Sequence, residues 1–169
     1  MAGERTNGRD KAGRTEMVAR LAREMAGSLL PGDGPFPSAE REAAARFVLG
    51  TAAQRDPGEA ASCLESGANG RRLTRIAIIN PDMPFLVDSV AAAIAAHGLA
   101  IDRLVHPLVP VSRDATGRLL AIPDTAEWSG LCESMIYIET SRIDAAPRRA
   151  LERVIRATLA DVRAAVSDW

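Results

Sequence analysis

The sequence predicts an α+β fold in which an antiparallel sheet carries helices on one face. Short β-branched runs at 73–79 and 135–140 predict buried strands. Apolar residues at helical spacing predict helices at 84–97 and from 146 to the end of the chain. The order is strand, helix, strand, hairpin strand, strand, helix. That order is typical of ferredoxin-like layouts.

The segments before this region predict a helical extension and a linker. Residues 1–13 are polar and contain glycine, so we expect them to be disordered. Residues 14–55 carry two stretches of helical apolar spacing and predict a helical N-terminal extension. Residues 56–72 contain a Pro-Gly turn and a small polar stretch, which predict a linker. The main domain is therefore predicted at 73–169.

Within the main domain, prolines and glycines mark where each element ends. Pro84 suits a first helical turn, and Gly98 a helix end. The strand at 100–111 contains Pro107 and Pro110, so we expect it at a sheet edge or bent near Pro107.

A hairpin turn at 113–118 leads into a short strand at 119–122. The last helix carries an apolar stripe that ends at Trp169. This stripe is equally consistent with packing on the sheet and with docking to another segment or a second copy. A further strand would be expected next, so we expect the chain to be a piece of a longer protein.

Composition excludes several classes of function. The chain has 169 residues, is 47% hydrophobic and carries a net charge of −1. A nucleic-acid-binding domain usually needs a strongly basic face, so no nucleic-acid partner is expected. No apolar run reaches the roughly 20 residues of a membrane span, and the N-terminus lacks a signal-peptide core. We therefore expect a cytoplasmic protein without a membrane partner.

No arrangement of side chains predicts catalysis or metal binding. His97 and His106 are the only histidines and have no spaced carboxylate or cysteine partners. Cys63 and Cys132 stand far apart, as expected of two reduced thiols. Ser89 lacks the Gly-x-Ser-x-Gly setting of a nucleophile. A glycine-rich nucleotide loop is also missing from the sequence. We expect no catalytic residue, no metal site and no cofactor in this chain.

Six segments carry a resemblance to a known family. The most specific is NPDMPFLVDSV at 80–90, with Met, Pro, Phe and Asp in fixed order. The others are RDPGE at 55–59, VHP at 105–107, RDATGRLL at 113–120, ESMIYIE at 133–139 and LADVRAAVSDW at 159–169. Together they resemble the N-terminal region of the large bacterial NAD-dependent glutamate dehydrogenases. The resemblance covers about 55–169.

The resemblance implies an ACT-like domain, a module that often binds amino acids and regulates an attached enzyme. The implied parent enzyme uses NAD and converts L-glutamate to 2-oxoglutarate by oxidative deamination. This chain would be its non-catalytic regulatory or assembly segment. Its partners would be the remaining domains of the parent, with self-association as a further option. The alternatives are a purely structural oligomerisation module and an amino-acid sensor.

In ACT-like domains the turn between the first strand and the first helix commonly forms the ligand site. The resemblance places that turn at 80–89, and its candidate ligand-binding residues are Asn80, Asp82, Met83, Phe85, Asp88 and Ser89. Phe85 stands where amino-acid-binding members usually have glycine, and we expect its ring to seal the turn. Asp82 is expected to cap the helix, and Asp88 to face its dipole. Both would repel a ligand carboxylate.

Overall fold

The computed structural model describes residues 3–68, 70–124 and 128–167, with side chains described from Lys11 onward. Its helices and strands, in chain order, are α1 (Gly3–Gly27), α2 (Ser38–Ala52), β1 (Ala61–Ala68), β2 (Arg71–Pro81), α3 (Leu86–Ala96), β3 (Ile101–Val105), β4 (Leu108–Pro110), β5 (Ser112–Arg113), β6 (Leu119–Ala121), β7 (Cys132–Ser141) and α4 (Ala145–Ser167). The predicted α+β class is confirmed.

The main sheet is antiparallel and has the strand order β1-β2-β7-β3, with β4 also paired to β7. Strands β2 and β3 both run antiparallel to β7, which lies between them. They are therefore parallel to each other and joined through α3, as in a split βαβ unit. Strands β5 and β6 form a separate two-stranded hairpin.

Strand β1 fills the edge position beside β2, and it pairs with β2 in antiparallel register. A ferredoxin-like sheet usually takes that strand from the segment after its last helix. Here it comes from 61–68, which the sequence had predicted to be a linker. That prediction is wrong for these residues: Gly67 and Gly70 adopt positive φ and turn the chain back, so that even a small, polar segment pairs along β2.

Alternation along β2 and β7 gives the sheet two apolar faces. Ile76 lies opposite Ile138, and Ile78 opposite Ile136, on the face covered by α3 and α4. The next positions along each strand point to the other face, which α1 and α2 cover. The molecule therefore has three layers, helices–sheet–helices.

The face under α3 and α4 is aliphatic. The helices bury Leu86, Val90, Ile94, Leu151, Ile155 and Leu159 against the isoleucines of the sheet. Fully burying one such side chain contributes about 1.5–3 kcal/mol. This apolar stripe explains why both helices could be predicted from spacing alone. Trp169, the predicted end of the α4 stripe, lies outside the described residues.

The opposite face accepts the helical extension. Helix α2 presents small buried side chains, including Ala44, Ala45 and Ala52, so its backbone lies close to the sheet. Helix α1 packs on it through Val18, Leu21 and Met25. The helix begins at Gly3, so the expected disorder of 1–13 is wrong from Gly3 onward. Residues 1 and 2 lie outside the described range. The division of the chain at residue 73 remains a prediction.

The strand predicted at 100–111 is interrupted at His106 and Pro107, as the prolines suggested. Both halves pair with β7, and the backbone N–H of Met135 donates to the carbonyl oxygen of Pro107 across the break. The interruption brings the side chain of His106 to the end of β7, beside the turn that leads into α3.

Candidate functional site

The predicted ligand turn lies between the end of β2 and the start of α3. Phe85 is the residue that precedes the helix, and its φ of 65° lies in the left-handed region. Its ring is 70% exposed. The expectation that this ring seals the turn is therefore wrong. The left-handed backbone directs the side chain outward, and glycine would adopt the same φ more easily.

The N-terminus of α3 has no side-chain cap. Asp82 was expected to provide it, and this prediction is wrong because Phe85 occupies the cap position. The carboxylate of Asp82 instead accepts a hydrogen bond of 3.2 Å from the hydroxyl of Ser134. Asp88 lies in the first turn of α3, as expected, and is exposed.

Asp82, Ser134 and His106 form one hydrogen-bonded row. The Nε2 atom of His106 lies 2.9 Å from the Ser134 hydroxyl oxygen. Because that hydroxyl donates its only hydrogen to Asp82, the histidine must donate through Nε2–H. Burial lowers the pKa of His106, and the nearby Asp82 offsets part of this effect. The imidazole is therefore neutral near pH 7.

Asn80 is a further polar residue at this end of the paired strands β2 and β7. It lies opposite Ser134 in the register of β2 and β7, so both side chains point to the α3 face. Asn80 is fully buried and donates 2.8 Å to the carbonyl oxygen of Pro81. Its Oδ1 atom has no partner among the described residues. Such an atom is costly unless a further donor reaches it.

The two remaining predicted ligand-binding residues contribute less to this polar group. Met83 is half-buried and packs against the aliphatic core under α3. Ser89 is half-buried, and its backbone N–H donates to the carbonyl oxygen of Phe85 in the first helical turn. The structure thus brings Asn80, Asp82 and the unpredicted pair Ser134 and His106 together. Met83 belongs to packing.

A second polar cluster, which the sequence did not predict, lies on the opposite face of the sheet. Glu133 is 2% exposed and binds two arginines. Arg55 donates through Nε and Nη2 to Oε1, at 3.0 and 2.7 Å. Arg113 donates 2.8 Å from Nε to Oε1 and 2.8 Å from Nη2 to Oε2. Burial alone would raise the pKa of Glu133, but the two guanidinium groups outweigh it and lower that pKa.

Backbone contacts fix the two arginines of this cluster. The N–H of Arg55 donates to the carbonyl oxygen of Gly117, and Arg113 donates through Nη1 to Gly117 and Ala52. A Cβ at Gly117 would lie 1.8 Å from the carbonyl oxygen of Arg55. Only glycine allows the hairpin this close. Arg55 and Glu133 are 78 residues apart, so no local pattern could have predicted the cluster.

Within the described residues, no group of three histidine, cysteine or carboxylate side chains is arranged to hold a metal ion. His97 is the C-cap residue that follows α3, with Nδ1 2.9 Å from the carbonyl oxygen of Ala93. Among the described helices, none is both long enough and apolar enough to cross a membrane.

Comparison with known families assigns the fold. Residues 43–155 match the family described as glutamate dehydrogenase, ACT1 domain. The chain belongs to this family. The matched range runs from α2 into α4, so it contains β1, the turn before α3 and the Arg55–Glu133–Arg113 cluster.

Two curated proteins show the same relationship. Over 99 residues, the chain is 36% identical to an NAD-specific glutamate dehydrogenase of Pseudomonas aeruginosa. It is 35% identical to one of Halomonas elongata over 99 residues. Each alignment covers 57% of this chain but only 6% of the relative. The ACT1 chain therefore spans a small part of the length of the relatives it matches.

Proposed function

We propose that this ACT1 chain is a non-catalytic regulatory and assembly segment in the N-terminal region of a large NAD-dependent glutamate dehydrogenase. The parent enzyme would bind NAD and deaminate L-glutamate oxidatively to 2-oxoglutarate. The family match over 43–155 carries this proposal, together with the small share of the relatives' length that the chain covers.

The side-chain contacts support a non-catalytic role. The buried carboxylate of Glu133 has both oxygens occupied by guanidinium groups. His106 is bonded to Ser134, whose hydroxyl is in turn committed to Asp82. A nucleophile needs a base that is free to accept its proton. Here the Ser134 proton goes to Asp82, and the histidine donates rather than accepts.

The exposed apolar side chains support a role in assembly. The most exposed large ones are Leu30, Phe85, Leu108, Leu120 and Leu131. Phe85 is held outward by its left-handed backbone rather than by any contact that buries it. In the parent enzyme these side chains would lie against its remaining domains.

Two assays test this proposal. The purified chain, mixed with NAD and glutamate, should produce no NADH above a buffer blank, and turnover retained through repurification would contradict the proposal. In the full-length Pseudomonas relative, deleting the segment aligned with this chain should alter oligomeric mass or the response to effectors. A deletion that leaves mass, kcat and effector response unchanged would also contradict it.

An amino-acid sensor is the second candidate, and the turn before α3 favours it. The ring of Phe85 leaves the turn open, and the buried Oδ1 of Asn80 lacks a donor among the described residues. A ligand ammonium group could supply that donor, and Asp82 would favour the same charge. The backbone N–H groups at the start of α3 would receive the ligand carboxylate.

Titration calorimetry with glutamate, aspartate and leucine tests the sensor. Saturable binding that weakens in Asp82→Asn, but not in the matched exposed variant Asp102→Asn, would support it. No heat of binding with any of the three amino acids would exclude it and leave the assembly role intact.

A further inference from the structure

The Arg55–Glu133–Arg113 cluster lies at the base of a cavity of about 330 Å³. This volume is within the range of small-ligand sites, which starts at about 300 Å³. Its walls come from the segment after α2, the β5–β6 hairpin and the residues that precede β7. The apolar part of the lining consists of Pro57, Val111, Trp128 and Leu131.

Among the described residues, the guanidinium groups at the base of the cavity outnumber the carboxylates that contact them. Arg55 is 8% exposed and Arg113 is 10% exposed, and both share the single carboxylate of Glu133. Asp114 also lines the cavity and is half-buried, and its Oδ1 accepts hydrogen bonds from the hydroxyl and backbone N–H of Thr116 and from the backbone N–H of Arg118. Its carboxylate is thus bonded within the β5–β6 hairpin, and in the part of the chain that the structure describes it forms no ion pair with Arg55 or Arg113. Across the described ranges, Glu133 is therefore the one carboxylate that contacts these two guanidinium groups, and buried guanidinium groups are stabilised by a further counter-ion.

The hydrogen-bond count leaves donors for such an ion. An Nη2 atom carries two hydrogens. In both arginines Nη2 has one acceptor, an oxygen of Glu133, among the described residues. One hydrogen therefore remains on each. Because both Nη2 atoms bind the same carboxylate group, they lie close enough together to contact one further small ligand.

Trp128 gives the cavity an aromatic wall that is held in place. Its Nε1–H donates 3.0 Å to the carbonyl oxygen of Leu131. A Cβ at Gly130 would lie 2.3 Å from the Trp128 ring, so the ring rests directly on the glycine backbone. The indole is thereby fixed at the cavity, where a planar ligand could contact it.

We propose that this cavity binds a small monoanionic carboxylate with a planar or apolar body. The remaining hydrogen on each Nη2 would be donated to the ligand carboxylate, as the other hydrogen is donated to Glu133. One added negative charge balances the two guanidinium groups and Glu133. A phosphate dianion would reverse the imbalance. The apolar walls receive the rest of the ligand. This site is on the opposite sheet face from the turn before α3 and does not depend on the proposed function.

Benzoate is a suitable probe, with benzamide as its neutral counterpart and inorganic phosphate as the alternative anion. Binding is followed by the indole N–H resonance of Trp128, assigned by its loss in Trp128→Phe. We expect saturable shifts with benzoate at a Kd about tenfold or more below that of benzamide, because charge-assisted hydrogen bonds are much stronger than neutral ones.

A matched pair of variants tests the role of charge without disturbing the cluster. Leu131 lines the cavity and is 76% exposed, so changes there should leave the fold intact, as circular dichroism would verify. Leu131→Glu should weaken benzoate binding about fivefold by repulsion, and Leu131→Gln should not. The proposal is overturned by the absence of saturation with benzoate, equal binding of benzamide, tighter binding of phosphate, or equal effects of the two variants.

Discussion

The two faces of the sheet hold their helices by different means. Under α3 and α4 the contacts are aliphatic, between residues such as Ile78, Ile136 and Ile155. Under α1 and α2 the apolar contacts are joined by aromatic and charged ones. Phe36 stacks on Tyr137 with 6.1 Å between ring centroids, and the guanidinium of Arg75 lies 4.5 Å from the centroid of Phe47.

Glu139 is the second buried carboxylate on the α1–α2 face. It accepts a 2.8 Å hydrogen bond from the hydroxyl of Tyr137 and lies 3.7 and 3.6 Å from Arg71 and Arg103. Burial, and then the charge of Glu139, raise the pKa of Tyr137, so the phenol stays protonated as a donor. Like Glu133, this carboxylate is tied to arginines from several elements.

The difference predicts how each face responds to change. An aliphatic contact depends on volume, so a residue of similar size can replace another at small cost. A buried ion pair depends on both partners, because removing one leaves a charge without compensation. A single substitution on the α1–α2 face should therefore lower stability more than one on the α3–α4 face. This is expected even though α1 and α2 lie outside the βαβ unit formed by β2, α3 and β3.

The largest effect is expected when the α1–α2 layer is removed. A fragment covering 73–169 lacks α1, α2 and β1, and so exposes Ile79, Met135 and Tyr137 together with one edge of β2. We expect it to lose cooperative unfolding, whereas 38–169 should retain it. Thermal unfolding followed by circular dichroism makes the comparison. A cooperative 73–169 fragment would support the domain boundary predicted from the sequence.

Glu133→Ala should be the most damaging of the single substitutions considered. It leaves Arg55 and Arg113 buried without their carboxylate, and removal of one partner from a buried ion pair costs about 3–5 kcal/mol. Urea unfolding measures the loss. Glu16→Ala, which breaks an exposed pair with Arg20, should cost less than about 1 kcal/mol.

Conservative substitutions sharpen this contrast between faces. Ile155→Leu, on the aliphatic face, should cost under about 1.5 kcal/mol because volume is conserved. Glu133→Asp keeps the charge but shortens the side chain, so it cannot reach both guanidinium groups in the same geometry. We expect it to cost more than Ile155→Leu. The reverse order would show that the two faces do not differ in this way.

The aliphatic face was also the predictable one. Isoleucines in β2 and β7 and the spacing in α3 and α4 are local signals, and each matched the structure closely. Strand β1 was missed because Ser66, Gly67 and their neighbours have low strand preference, and only pairing with β2 makes them a strand. The position of the candidate turn followed from sequence. The outward ring of Phe85 and the partners of Glu133 depend on backbone conformation and tertiary contacts, which no local pattern specifies.

Acid should destabilise the protein in two pH ranges, which are set by His106 beside the α3 face and by Glu133 on the α1–α2 face. His106 has a lowered pKa in the folded state, so the unfolded chain binds a proton first, and stability falls as pH drops below its ordinary value of 6.5. Glu133 also has a lowered pKa, so its contribution is lost as pH falls below 4.5 toward the folded pKa.

Stability measured by urea unfolding from pH 7 to pH 3.5 separates these windows. His106→Gln should flatten the decline between pH 6.5 and 5 and leave the lower window in place. An unchanged profile in that variant would assign the upper window to another group.

The smallest effect should come from Phe85, and it is expected to be stabilising. A left-handed conformation costs a residue with a side chain about 1–2 kcal/mol, and glycine avoids this cost. Glycine loses more backbone entropy on folding, about 0.5–1 kcal/mol, so Phe85→Gly should gain about 0.5–1 kcal/mol net. The side chain of Phe85 is 70% exposed and does not cap the helix, so its removal loses little packing.

Phe85→Ala removes the same ring but retains the unfavourable φ, and should not gain stability. Differential scanning calorimetry should show a higher Tm only for the glycine variant. Equal increases in Tm for both variants would show that the destabilisation comes from the exposed ring rather than from the backbone conformation of Phe85.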